Sequence, residues 1–134
     1  MIKRLGFTYL HCNDLDKMRS FYSEVLGLNY IWQNDESLAY QIGDHQLSIR
    51  LQPGMPTPEP AFAIQEGWEG GTSYRPSWSL ACDKDSFSNI VARSIEKEIT
   101  SYHPAPKWVG YWSFPLLDPM HNTIEITCTD ETLS

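Results

Sequence analysis

The stretch Asp14-Leu15-Asp16-Lys17-Met18-Arg19-Ser20-Phe21-Tyr22-Ser23-Glu24-Val25-Leu26-Gly27-Leu28 decides how the chain is read. Leu15, Met18, Phe21, Tyr22, Val25 and Leu26 recur at three- and four-residue spacing, so they lay one apolar stripe along a helix. Asn13 has the side chain of an N-cap. Asp14 and Asp16 put negative charge in the first turn, where the helix dipole favours it. Gly27 stands where a helix takes a left-handed C-terminal residue. A helix with a single apolar stripe must bury it against another layer, and the flanking sequence supplies strands.

Upstream, residues 4–12 alternate. Phe7, Tyr9 and His11 fall on one face, and Gly6, Thr8, Leu10 and Cys12 on the other. Downstream, three strands are expected over 28–33, 38–42 and 45–52, separated by the turn dipeptides Asn34-Asp35 and Gly43-Asp44. In the last of them Leu47, Ile49 and Leu51 oppose Gln46, Ser48 and Arg50. Residues 53–75, with Pro53, Pro56, Pro58, Pro60, Gly67, Gly70 and Gly71, read as a long irregular link.

The same order then recurs. A strand is expected over 76–82 and a helix start at Asp83 to Asp85. Phe87, Ile90, Val91 and Ile95 give its stripe, and strands follow over 99–103, 109–117 and 123–129. The chain is an internal repeat of a βαβββ unit. One unit exposes half a sheet, so the expected fold is a single α+β domain. Two modules, about 1–52 and 76–134 joined by a linker about 53–75, form a curved mixed sheet with an open cleft and helices on the outer face.

The chain has 134 residues and a formal net charge of -7, which repels phosphate backbones and argues against nucleic acid. No apolar run approaches the roughly 18 residues of a membrane span, and Met1-Ile2-Lys3-Arg4 leads straight into a strand. Cys12, Cys82 and Cys128 are odd in number and have no CxxC pair, the pattern of a cytoplasmic protein without a disulfide framework.

The run from Asp14 to Leu28 resembles the opening helix of vicinal-oxygen-chelate proteins, the superfamily of glyoxalases, bleomycin-resistance proteins and extradiol dioxygenases. Phe114, Asp118-Pro119, Asn122 and Ile124-Glu125-Ile126 resemble that family's closing hairpin. The resemblance implies four inward-facing strand positions that usually carry His or Glu and hold a divalent metal. Here they fall at Phe7, at Ser48 (Arg50 if the register slips), at Ser77 (Pro76 at the margin) and at Glu125. Phenylalanine cannot coordinate and a serine hydroxyl is a weak ligand for zinc, nickel or iron. No metal cofactor is therefore expected. What the resemblance implies is a homodimer that binds a small molecule.

The expected ligand-binding residues are Phe7, Tyr9, His11, Ser48, Arg50, Ser77, Tyr111, Trp112 and Glu125. The rings suit a partly aromatic ligand, and the carboxylate and net charge suit a neutral or cationic one. Glu125 reads either as a general base or as an ion-pair partner of Arg50 or another cleft cation. The alternative function is a metal-dependent lyase, isomerase or dioxygenase using Glu125 with a rearranged histidine site, and a third is a regulatory or scaffold module. His103, before Pro104, reads as a solvated surface residue. Trp68 reads as a lid or interface anchor. His121 occupies a turn position that favours glycine.

Overall fold

Alternation along the first strand and the apolar stripe that follows it produce the first half of a computed structural model that describes residues 1–133. Here β1 (Phe7–Cys12), β2 (Tyr30–Gln33), β3 (Ser37–Ile42) and β4 (His45–Leu51) hydrogen-bond in the order β1-β4-β3-β2. β1 runs parallel to β4, and the other pairs are antiparallel. α1 (Leu15–Arg19) packs on β3 and β4 and buries Leu15 and Met18. Leu10, Cys12, Leu47 and Ile49 lie on the helix side, so Phe7, Tyr9 and His11 are left on the bare face.

Two local details differ from the sequence expectation. The N-cap is Asp14, whose carboxylate accepts from the Lys17 N–H, while the Asn13 amide donates to Met55 O and Thr57 Oγ1. The expected continuous α-helix also turns π-helical over Ser20–Val25. The wider turn lets the consecutive Phe21 and Tyr22 both point inward, where their rings meet edge-on at 4.9 Å. Tyr22 also faces Tyr40 of β3, whose hydroxyl is 2.6 Å from Ser23 Oγ.

The second half repeats the pattern. β5 (Trp78–Ala81), β6 (Lys107–Trp108), β7 (Trp112–Leu117) and β8 (Thr123–Cys128) run in the order β5-β8-β7-β6, with β5 parallel to β8. α2 (Lys84–Glu96) is capped by Asp83, which accepts from the Ser86 N–H, and packs on β8. Phe87 and Ile90 of the helix and Phe114, Leu116, Ile124 and Ile126 of the strands are among the buried apolar side chains of this half. The fold is thus α+β, two βαβββ modules each with its own four-stranded mixed sheet.

The expected strand over 99–103 is reduced to an isolated bridge between Ser101 and Leu116, and the pairing strand forms instead at Lys107–Trp108. Pro104 and Pro106 lack the N–H groups a ladder through this segment needs. The chain divides into two compact units at Thr57/Pro58, so most of the proline-rich link packs with the second sheet. Ala63 N–H donates to Thr123 Oγ1, Arg75 donates to His121 O, and the His121 ring donates from Nδ1 to Pro58 O at 2.6 Å. His121 does take a left-handed conformation, φ 61°.

Candidate functional site

The register of the first sheet stacks its bare face in rows. One row runs Tyr9, Ser48, Ala39, Trp32 across all four strands. Ser48 lies on the floor of this row, Ala39 is fully covered, and rings stand on both edge strands. The row on one side is His11, Arg50, Ser37; on the other it is Phe7, Gln46, Gln41. Together they enclose a hollow of about 400 Å³ lined by Phe7, Tyr9, His11, Trp32, Ser48 and Arg50, among others. Phe7 and Tyr9 stack with centroids 6.1 Å apart and planes at 21°. Arg50 reaches the Glu36 carboxylate at 3.3 Å, and both side chains are mostly in solvent. The hollow therefore offers aromatic faces, neutral hydrogen-bonding groups and one guanidinium.

Glu125 belongs to the second unit and has a different environment. It is 4% exposed, on the face of β8 opposite Ile124 and Ile126. Ser113 donates to its Oε2 at 2.5 Å and Tyr111 donates to the same oxygen at 3.2 Å. Burial, the Glu125 charge and that hydrogen bond all push the Tyr111 phenol above its ordinary pKa, so Tyr111 is held as a donor. Within the first unit Arg50 pairs with Glu36.

The link closes over this region. Gln65 donates to Ser77 Oγ at 2.6 Å, and Trp68 Nε1 donates to Gln65 Oε1. Gly67 passes so close to the Tyr111 hydroxyl that a Cβ there would overlap it. Trp68 is buried against Phe62, Tyr102 and His103. His103 is thus packed rather than solvated. Its Nε2 is buried without a hydrogen-bond partner, and burial first, then Lys107, lower its pKa.

The structure brings Phe7, Tyr9, His11, Ser48 and Arg50 together on one face, and Tyr111 and Glu125 together in the other unit. Ser77 is bonded to Gln65. Trp112 pairs with Cys128 and turns to the helix side, lining a separate apolar hollow of about 500 Å³ with Phe87, Val91 and Ile95. Sequence reasoning missed Ser113 and Gln65 as partners. Ser113 was legible as two residues from Pro115 on an alternating strand, whereas Gln65 carries no signal inside an irregular link.

No group of three or more His, Cys, Asp or Glu among the described residues is placed to hold a metal ion. The donor chemistry agrees. Phe7 offers no lone pair, Ser48 is a weak ligand, and Ser77 and Glu125 are engaged by Gln65, Tyr111 and Ser113. The residues present do not fit the divalent metal that the resemblance implies.

Paired βαβββ modules with a bare sheet face define a vicinal-oxygen-chelate protein. Residues 4–126 match the family model of the Glyoxalase/Bleomycin resistance protein/Dioxygenase superfamily, and the chain belongs to that superfamily. Among solved structures it is similar to a glyoxalase/dioxygenase from Nostoc punctiforme, at 20% identity and TM-score 0.76, covering 96% of this chain and 92% of that one. It is similar to the fosfomycin resistance protein FosX from Mesorhizobium loti, at 17% identity and TM-score 0.67, covering 98% and 97%. A bleomycin resistance determinant encoded on the transposon Tn5 matches at 17% identity and TM-score 0.59, covering 96% and 99%. At these identities the likeness is one of fold. A comparison with curated proteins finds no match.

Proposed function

We propose that the protein binds a small, partly aromatic molecule without a metal, and that the hollow of the first unit is where the ligand stacks. The observation that carries this reading is the state of the four family positions. Two hold Phe7 and Ser48, and the other two are occupied in hydrogen bonds with the chain's own side chains. A metal at Glu125 would compete with Tyr111 and Ser113 for Oε2, and among the described residues no group of three or more His, Cys, Asp or Glu stands ready to complete its shell. An odd number of cysteines with no CxxC pair suits work in a reducing cytoplasm. Phe7, Tyr30, Ile31 and Trp32 are exposed apolar side chains of one unit, which suits a homodimer of twice the 15.4 kDa chain.

The test is metal analysis of protein purified with zinc, nickel, iron and manganese in the medium. We expect far less than one ion per chain, and no gain in thermal stability on adding any of the four. One ion per chain in the wild type, lost in Glu125→Gln, overturns the reading in favour of a metal-dependent enzyme. Light scattering checks the dimer.

A further inference from the structure

We propose that the ligand of the first unit's hollow is an arylalkyl carboxylate, a flat ring with a carboxylate on a short chain, its ring held in the Tyr9–Trp32 row and its carboxylate by Arg50. This rests on the reading of that hollow as the ligand site, and it departs from the neutral or cationic ligand expected from sequence. That expectation counted Glu125 among the lining residues, but Glu125 lies in the other unit and is hydrogen-bonded there. Among the described residues lining the hollow none is acidic, and Arg50 brings a guanidinium to it.

The rows set the shape of the guest. Tyr9 and Trp32 stand on the outer strands of a four-stranded sheet, so roughly 14 Å separates their backbones. The small Ser48 side chain in this row leaves room for a ring lying between aromatic walls. The next row, two residues along the strands and so roughly 7 Å away, is His11, Arg50 and Ser37. Arg50 carries five N–H donors in a fixed fork, and its partner Glu36 takes one contact at 3.3 Å with the carboxylate side chain 71% exposed. A loose, solvated pair of this kind is easily exchanged for a bidentate carboxylate, which the guanidinium plane matches. The opposite row, Phe7, Gln46 and Gln41, carries no charge, so the anionic end of the guest has one preferred direction.

The probes are 3-phenylpropionate, 3-phenylpropionamide and 3-phenylpropylamine, which share a ring and differ in charge. Titration is followed by the indole resonances of the full chain, with the Trp32 signal assigned by Trp32→Phe. The carboxylate is expected to shift the Trp32 signal and to bind about tenfold more tightly than the amide, the worth of one charge-assisted hydrogen bond, with the amine weaker still. Arg50→Gln should reduce the carboxylate to the level of the amide and leave the amide unchanged. Glu36→Gln, which frees the guanidinium, should tighten the carboxylate. Equal binding of the three with no effect of Arg50→Gln overturns the anion preference while the aromatic hollow stands. If none of the three moves the Trp32 signal, the ligand class and the reading of the hollow both fall.

Discussion

At the scale of single residues, the second unit depends on a close approach that only glycine permits. Gly67 has no side chain because the Tyr111 hydroxyl occupies the space where a Cβ would stand. A methyl group there pushes the phenol away from Glu125, which then keeps only Ser113 as a donor in a buried position. A hydrogen bond to a carboxylate is worth about 1.5–3 kcal/mol, and Tyr111 is only partly buried, so Gly67→Ala should cost about 1–2 kcal/mol in urea denaturation. In a Tyr111→Phe background the same substitution should cost clearly less, since the bond is already gone. An equal cost in both backgrounds would show that neither the hydroxyl contact nor the bond sets the cost.

At the scale of elements, the end of α2 stores strain at a non-glycine residue. The Ile99 N–H reaches back to Ser94 O and the Glu98 N–H to Ile95 O, the paired bonds of a Schellman ending. That geometry puts Glu98 at φ 55°, a left-handed conformation that costs a residue with a Cβ roughly 1–2 kcal/mol. Glu98→Gly should therefore stabilise the protein by about 1 kcal/mol, read as a higher urea midpoint at unchanged slope. The corresponding end of the first helical segment already carries Gly27, at φ 73°. A lower midpoint would mean that the Glu98 side chain contributes more than the backbone loses.

At the scale of the whole molecule, buried and half-buried titratable groups bound the pH range of stability. Burial, with lesser contributions from Asp83 and Cys128, pushes the Cys82 thiol up to about 11, and burial raises Tyr40 and Tyr111 above 10.0. Each is neutral in the fold at a pH where the unfolded chain has begun to ionise. Their contribution is thus complete below about pH 9 and lost as pH rises through 9 to 11. His103 works in the other direction. Its pKa is depressed below 6.5, so its contribution is present above 6.5 and lost as pH falls below that value. Urea midpoints should be highest near pH 7–8 and fall toward both pH 5.5 and pH 10.5. A midpoint at pH 10.5 equal to that at pH 8 would contradict this account.

The amino-acid sequence by itself determined the two-module α+β plan. Alternation along Phe7 to Cys12, the stripe from Leu15 to Leu26 and the closing run Ile124-Glu125-Ile126 are short-range patterns, and each specifies which face an element must bury. The placing of Phe7, Tyr9, His11, Ser48 and Arg50 on one face follows from the same period of two. Tertiary structure alone decided where the irregular link goes and which strands meet. Gln65 reaches Ser77 and Gly67 meets Tyr111 through contacts between segments with no periodic signal. The π-helical turn arose because two consecutive rings, Phe21 and Tyr22, found room in one core. The row Tyr9, Ser48, Ala39, Trp32 needed the crossover that sets β4 between β1 and β3. Local sequence fixes the face of a side chain through backbone geometry, whereas its neighbours depend on strand order and register, which only the packed chain supplies.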